Sequence, residues 1–336
     1  MVRFTNALAG LALMAAAFAA PQAGAECHGL NLLDLMPTDK RAAITASADA
    51  QPFARGNFWQ ARRDGDRITL IGTYHLDDPR HAATVDRFAP EIAAATALLV
   101  EAGPDEEKAL QQHIGRDPSV MVITEGPGLN QTLAPETWDR LAEAARARGV
   151  PPFMAAKFRP WYVTVLLAVP PCAIEAMADP NGLDQRLIDS AAASGIPVRA
   201  LEPYDTIFSI FGAMSEADQI AMIEQTLAME DSITDFSETL ADAYFDGDGR
   251  LMWELMRHMS YDAPGYTPEQ VDAEMAVLEE LLMNSRNRAW IPVIEKAAAQ
   301  GPVVVAFGAL HLSGEEGVLN LLQRNGWTVT PLDEAP

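Results

Sequence analysis

The chain has 336 residues, 49% hydrophobic and 21% charged, enough to pack a core as one large domain or two ordinary ones. Its formal net charge of −23 repels phosphate backbones and anionic lipid surfaces, which excludes nucleic acid and a membrane surface as expected partners. The first 25 residues read as a cleaved signal peptide. Arg3 starts them, an apolar stretch runs from Ala7 to Ala20, and Ala23-Gly24-Ala25 has the small-x-small form of a cleavage site after Ala25. Glu26 ahead of Cys27 argues against a lipoprotein, and no later run reaches the roughly 20 apolar residues of a membrane span. The expectation is a periplasmic or secreted protein with no membrane anchor after cleavage. In such a compartment the two cysteines, Cys27 and Cys172, are most simply a disulfide.

In chain order, residues 26–55 read as a short helix closed by Pro37 and an irregular lead-in. Phe58 to Arg62 and Arg67 to Ile71 are strand-like, and Asp64-Gly65 between them signals a hairpin. From His81 to Thr96 the apolar residues Val85, Phe88, Ile92 and Ala95 recur at spacings of three and four, a helix. Ala97 to Val100 is a short buried strand ending at Glu101. Asp105 to Ile114 reads as helix and Ser119 to Thr124 as extended chain. Trp138 to Arg148 is a helix stopped by Gly149 with Pro151 beyond. The apolar segment from Arg159 to Val169 reads as buried. Leu183, Leu187, Ile188 and Ala191 form a helix face ended at Gly195, and Ile196 to Leu201 is a strand ending at Glu202. Residues 204–283 carry helical periodicity with acidic outer faces and no strand signal, a helical insert. Within it, Asp246-Gly247-Asp248-Gly249 resembles part of a calcium loop, but Arg257 stands where that loop needs a bidentate glutamate, so a turn is expected. Asn287 to Ala299 is helical.

Two stretches echo each other. Arg67-Ile68-Thr69-Leu70-Ile71 runs into Gly72-Thr73-Tyr74-His75, and Val303-Val304-Val305-Ala306-Phe307 runs into Gly308-Ala309-Leu310-His311. Each is followed by a helical stretch and a second apolar run, Ala97 to Val100 in front and Trp327 to Val329 at the end. The reading is an α/β fold whose mixed sheet is built from two strand–Gly-x-x-His–helix–strand units. Glycine permits the sharp bend out of each strand, and each histidine stands just past a strand's carboxyl end, where open α/β sheets build their sites. Glu101 ends the strand that follows His75 and belongs to the same edge.

Three uses of these residues follow from their chemistry. His75, His311 and Glu101 supply two imidazoles and a carboxylate for a divalent metal with a position left for water. The same groups serve a metal-free site in which Glu101 or a histidine is a general base. Otherwise the histidines simply cap strand ends. Glu202 is a weaker candidate for ligand or base. Arg286 opens a helix, where the dipole disfavours a cation, which points to another use such as holding an anionic group. His28, His81, His113 and His258 read as surface residues. Gly-x-Ser-x-Gly, His-Glu-x-x-His and a phosphate-binding loop are absent.

Together, Gly72-Thr73-Tyr74-His75, Glu101 after its strand, Leu201-Glu202, Arg286-Asn287 with Trp290, and Gly308-Ala309-Leu310-His311-Leu312 with Gly314 resemble the TraB/GumN family, which includes the Tiki proteins and is distantly related to EreA/ChaN-like proteins. The Pro160-Trp161 segment and the Leu183-Asp184 helix start add to the likeness, which runs roughly from Asn57 to Leu332. The resemblance implies a mixed α/β fold and, in its Tiki branch, a metal-dependent peptidase using manganese or cobalt; zinc is chemically possible. His75, Glu101 and His311 carry over as catalytic and metal-binding residues and Arg286 as a supporting one. The partner expected is a peptide or other small substrate. The alternative implied by the TraB branch is a non-catalytic protein that binds or sequesters peptides. More distant relatives imply a haem-binding reading, for which this chain has no Cys-x-x-Cys-His motif.

Overall fold

The computed structural model describes residues 27–174, 181–262 and 266–332, so the expected signal peptide lies outside the described residues. Six strands form one mixed sheet: β1 Phe58–Arg63, β2 Asp66–Thr73, β3 Ala97–Val100, β4 Val198–Ala200, β5 Val303–Gly308 and β6 Thr328–Pro331. Their order is β4-β3-β5-β2-β1-β6. The four strands β4, β3, β5 and β2 are parallel to one another, while β1 is antiparallel to both β2 and β6. The β1–β2 hairpin turns on Asp64 at φ 52 and Gly65 at φ 97, two left-handed residues as a type I′ turn requires.

The two echoing units are alike locally but not in their place in the sheet. Connecting β2 to β3 crosses over β5, which pairs with both, so His75 and Glu101 come from strands one place apart rather than from neighbours. Connecting β5 to β6 crosses β2 and β1 in the opposite direction. Two crossovers of one hand travelling opposite ways put their helices on opposite faces, and the packing shows this. Residues of β5 alternate between faces. Val303, Val305 and Phe307 pack with Trp290 and Ile294 of helix Ser285–Ala298 and with Leu319 and Leu322 of helix Val318–Arg324. Val304 and Ala306 pack with Phe88 and Ile92 of helix His81–Ala93 and with Leu183 and Leu187 of helix Leu183–Ala193. All six β5 residues are buried. A continuous valine run suits a strand covered on both faces, and each such side chain contributes about 1.5–3 kcal/mol by leaving water.

Among the described residues, 206–262 and 266–284 hold helices and turns but no strand, as the periodicity predicts. This region is pinned to the sheet where Tyr244 Oη donates to the Gly72 carbonyl at 3.0 Å. The acidic Asp246-Gly247-Asp248-Gly249 stretch is a turn: Gly247 has φ 74, its carbonyl accepts from the Gly56 amide, and Asp248 pairs with Arg55.

Four expectations need correction. The lead-in contains a second helix, Thr38–Asp49, which starts directly after Pro37. It buries only Ile44 and Ala48, so it shows no apolar stripe, and alanine's helix propensity carries it instead. Ser119 to Thr124 is a 3-10 turn with a single bridge from Val122 to Phe158 rather than a strand. The run from Ile196 to Leu201 pairs over only three residues, because β4 is an edge strand. Arg286 does not open a helix: Pro268–Glu279 passes through a π turn, Glu280–Asn284, into Ser285–Ala298. The dipole conflict read from its position does not exist.

Cys27 and Cys172 are bonded, with Cα atoms 5.5 Å apart and a sequence separation of 145. The loop-entropy model gives about 4–5 kcal/mol for a closure this long, with measured cases scattering below it. The double substitution Cys27→Ser with Cys172→Ser is expected to lower stability by about 2–5 kcal/mol, seen as a lower urea midpoint with a steeper slope, because the unfolded chain without the cross-link exposes more surface.

Candidate functional site

Each parallel strand delivers one polar side chain to the same edge of the sheet. His75 stands two residues past β2, Glu101 one past β3, Glu202 two past β4, and His311 ends the 3-10 turn Ala309–His311 that follows β5. The β2–β5 register sets Thr73 opposite Gly308. This is the carboxyl edge, where parallel sheets open into crevices.

The two histidines are anchored from opposite faces of the sheet. His311 Nδ1 lies 2.6 Å from Asn287 Oδ1, on the helix covering one face. An amide oxygen only accepts, so Nδ1 carries the proton and Nε2 is left with its lone pair. That Nε2 receives Arg286 Nη1–H at 3.2 Å and lies 3.9 Å from Glu101 Oε1. His75 Nδ1 lies 2.7 Å from Asp184 Oδ2, in the first turn of the helix covering the other face, and Thr73 Oγ1 donates to the second Asp184 oxygen at 2.6 Å.

Their environments push the two rings apart. Burial drives the His311 pKa down to about 3; the Glu101 charge opposes this, while Arg286 and His75 reinforce it. His311 is therefore neutral. For His75, burial would lower the pKa, but the charge and hydrogen bond of Asp184 and the charge of Glu101 raise it to about 9. Its side chain keeps 63% of its surface in solvent, which weakens the opposing effect of burial. Glu101 would be raised by burial, yet His311, His75, Arg286 and the Gly308 amide, which donates to Oε1 at 2.8 Å, bring it down to about 2.

Arg286 ties the edge together. Its Nη2 donates to Glu101 Oε2 and, at 2.7 Å, to Glu202 Oε1, while Nε donates to Glu202 Oε2 at 2.9 Å. Nη1 also donates to the Leu282 carbonyl at 2.9 Å. Trp290 Nε1 donates to Glu202 Oε2 at 2.9 Å, and its ring lies 4.5 Å from that of His311. Burial would lower the Arg286 pKa, but the hydrogen bond to Glu202 and the charges of Glu101 and Glu202 hold it above its ordinary value.

The glycines of the two Gly-x-x-His units act differently from the sequence expectation. Neither has a positive φ. What each supplies is empty space: a Cβ on Gly72 would stand 2.5 Å from Leu312 Cδ1, and one on Gly308 would stand 3.1 Å from His75 Nε2 and 3.4 Å from Glu101 Oε1. Gly182 works the same way behind the site, since its Cβ would fall 2.2 Å from the His75 carbonyl oxygen. A cleft of about 230 Å³ opens beside His75, bordered by Glu101, Asp184, Val100, Ile188 and Glu107. A larger cavity of about 560 Å³ around Trp161, Phe208 and Phe211 contains none of the histidine-site groups.

His75, Glu101, His311 and Arg286 thus come together, and Glu202 with them. Sequence reasoning missed Asp184 and Asn287 as partners of the histidines and Trp290 as a partner of Glu202. Asp184 reads as an ordinary first-turn acid. Asn287 had a signal: with Trp290, Ile291 and Ile294 it occupies the buried stripe of its helix, and it is 1% exposed, a place where amides need partners. Of the four histidines read as surface residues, His81 is fully buried; its Nε2–H donates to the Leu76 carbonyl. His113 packs edge-on against Tyr204 and Phe208.

A divalent ion finds suitable donors here. Both imidazoles are anchored through Nδ1, as metal-ligating histidines are, leaving both Nε2 atoms and Glu101 to hold an ion. The spacing is not closed around one, however. Among the described residues no three His, Cys, Asp or Glu side chains are grouped to share an ion, and the Arg286 guanidinium bridges Glu101 and His311.

Fold and site together define an α/β protein with helices on both faces of a mixed sheet and two Gly-x-x-His turns meeting one partly buried glutamate. The chain belongs to the TraB/PrgY/gumN family, whose pattern it matches over residues 57–331. It is similar to the uncharacterized protein YbaP of Escherichia coli K12, 24% identical over 259 residues that cover 76% of this chain and 87% of that protein. The YbaP protein of Shigella flexneri matches to the same extent. No helix among the described residues is long and apolar enough to cross a membrane, and the disulfide is compatible with an exported protein.

Two predictions follow from the geometry. Gly308→Ala keeps an allowed backbone, with φ −49 and ψ 132 at this position, so its effect on stability is expected to be about 1 kcal/mol or less. It crowds His75 against Glu101 and is expected to impair whatever the site does, which comparison of its melting curve with its ligand binding or turnover checks. The second concerns protonation. His311 stays neutral in the folded chain while the unfolded chain takes up its proton, so stability falls as pH drops from about 6.5 toward 3. The Glu101 contribution is full above about 4.5 and lost as pH falls through about 2. That of His75 is full below about 6.5 and lost as pH rises through about 9. Ring-proton NMR across this range is expected to show His75 titrating near 9 and His311 unmoved until about 3.

Proposed function

We propose that this site hydrolyses a bond of a peptide substrate and that a divalent ion held by His75, Glu101 and His311 is its cofactor. The observation that carries the reading is the paired anchoring of the two imidazoles, His75 on Asp184 and His311 on Asn287, which leaves both Nε2 atoms to act beside one carboxylate. When bound, such an ion lowers the pKa of a coordinated water toward about 7 and polarises a carbonyl.

The chain's own residues supply the rest. Asp184 orients the His75 ring by accepting its Nδ1–H, which leaves Nε2 at the adjoining cleft as the atom that would hold the ion. Asn287 holds His311 in the one tautomer that presents a lone pair. Arg286, kept in place by Glu202, is a fixed cation for the negative charge that develops on a carbonyl oxygen under attack. Val100 and Ile188 give the cleft an apolar wall.

A second reading is favoured by Arg286 itself, which stands within hydrogen-bonding distance of His311 and pairs with Glu101. There the Arg286 guanidinium and the charged His75 ring are the cations of the site, His75 Nε2–H is the proton donor, and Glu101 acts as a metal-free base.

One experiment separates these readings. The protein is purified without chelator, reloaded with manganese, cobalt or zinc, and assayed for bound metal and for cleavage of unstructured peptides. About one ion per chain, lost together with turnover in His75→Ala and His311→Ala, is the expected result. Turnover that survives chelation and metal-free dialysis selects the second reading. A peptide that binds without being cleaved under any loading overturns both in favour of a binding protein.

A further inference from the structure

The cleft of about 230 Å³ beside His75 is smaller than the about 300–1,000 Å³ of pockets that enclose a whole small molecule, a size that suits one side chain. Val100, Ala102 and Ile188 supply apolar lining, and Glu101, Asp184 and Glu107 supply carboxylates. Two of these carboxylates are already taken. Glu101 is held by Arg286 and the Gly308 amide, and Asp184 by His75 and Thr73. Glu107 is exposed, and among the described residues its carboxylate has no hydrogen bond or ion pair. No lysine or arginine lines the cleft. Arg186, on the helix that carries Asp184, is engaged by Asp77 at 2.7 Å and by the Asn181 carbonyl.

The first turn of helix Pro104–Arg116 carries Asp105, Glu106 and Glu107, where the helix dipole favours acids. Each has a different use. Glu106 caps the turn by accepting the Gly103 amide at 3.1 Å. Asp105 does not line the cleft, whereas Glu107 does. The dipole accounts for a carboxylate in this turn but not for one beside the candidate site. The whole edge is short of cations as well. With His75 charged, it and Arg286 face Glu101, Glu202, Asp184 and Glu107, and a divalent ion in place of that proton still leaves the carboxylates one charge ahead. A neutral apolar side chain in the cleft would strip water from Glu107 without replacing it, and an acidic one would be repelled. Lysine and arginine fit both parts of the lining, since they lay an apolar stem along apolar surface and keep a charged head at its edge. We propose that Glu107 is a specificity-determining residue and that this cleft receives a basic side chain, lysine or arginine, of a peptide residue flanking the bond that is cleaved. The inference deepens the peptide-hydrolysis reading and rests on it for the occupant being part of a peptide.

The test uses the full chain with its disulfide intact and a set of labelled unstructured peptides that carry lysine, norleucine or glutamate in turn at each position. The quantity read is the ratio of kcat/KM for the lysine peptide to that for its norleucine twin. At one position flanking the cleaved bond the parent is expected to prefer lysine over norleucine, and norleucine over glutamate. Glu107→Gln is expected to lower the lysine preference by about three- to fivefold, the range of a partly exposed ion pair. Glu107→Lys is expected to lower it by about tenfold and to favour glutamate, because a like charge then faces the substrate. Asp105→Asn removes an equal charge from the same turn outside the cleft and is expected to keep the parent's ratio. Circular dichroism establishes that each variant is folded, and Glu107→Gln decides the matter if Glu107→Lys is not. If the parent cleaves none of the peptides, the hydrolytic reading fails by itself, and the same ratio is then read from binding by fluorescence anisotropy. A parent with no preference for lysine at any position would overturn the proposal. So would Glu107 variants that keep the parent's ratio, an Asp105→Asn variant that shifts it as far as Glu107→Gln, or peptides that are neither cleaved nor bound.

Discussion

One guanidinium holds the carboxyl edge of this sheet together. Glu101 and Glu202 leave adjacent parallel strands, β3 and β4, and bring two carboxylates into a space that is largely closed to water. Unpaired, they would repel each other, and each would be driven toward its neutral form by burial. Arg286 binds both at once through a planar fork that lysine could not reproduce. Breaking such a buried pair on one side typically costs about 3–5 kcal/mol, because the remaining charge is left without a partner. The ion pair also fixes the helix that carries it. Asn287 and Trp290, one and four residues on, then face His311 and Glu202, so the placement of one arginine sets the tautomer of a histidine two elements away.

The π turn before Arg286 belongs to the same device. A helix that ran regularly from Pro268 to Ala298 would carry its side chains around at a constant 3.6-residue pitch. The wider turn at Glu280–Asn284 resets that phase just before the arginine, and π turns gather at functional sites. Leu282, inside the turn, accepts one of the guanidinium's hydrogen bonds through its carbonyl. On the other face, Asp184 does for His75 what Asn287 does for His311, but with a charged partner. The two rings end in opposite protonation states although they sit in equivalent positions after equivalent strands. An anionic partner raises one while a neutral partner and deeper burial lower the other.

Much of this was legible in the sequence because it depends on local pattern. The hairpin at Asp64-Gly65, the helix from His81, the strand from Ala97 to Val100 and the helical stretch after β4 each announce themselves within a few residues through turn chemistry or apolar period. The chemical candidates were legible too, since His75, Glu101, Glu202 and His311 all stand immediately past apolar runs. The helix Thr38–Asp49 was not, because it buries too little to imprint a period. The role of Gly72 and Gly308 was misread because a sequence displays a glycine's freedom but not the side chain that would collide with a substituent. Family membership rests on the match of the family pattern over residues 57–331, and the likeness to the YbaP protein of Escherichia coli stands at 24% identity over 259 residues.

The sequence by itself determined which residues would stand at strand ends and that those ends would share an edge, because periodicity and turn signals act over a handful of residues and parallel strands joined by crossovers point one way. Only the tertiary structure decided that β5 enters between β2 and β3, and so sets Gly308 against both His75 and Glu101. That choice depends on which strands pair across more than two hundred residues of intervening chain, and no local pattern encodes it. The same holds for the partners of the site: Asp184, Asn287 and Arg286 reach the edge from helices far away in sequence, and it is their distances, rather than the identities of the histidines, that assign each ring its proton.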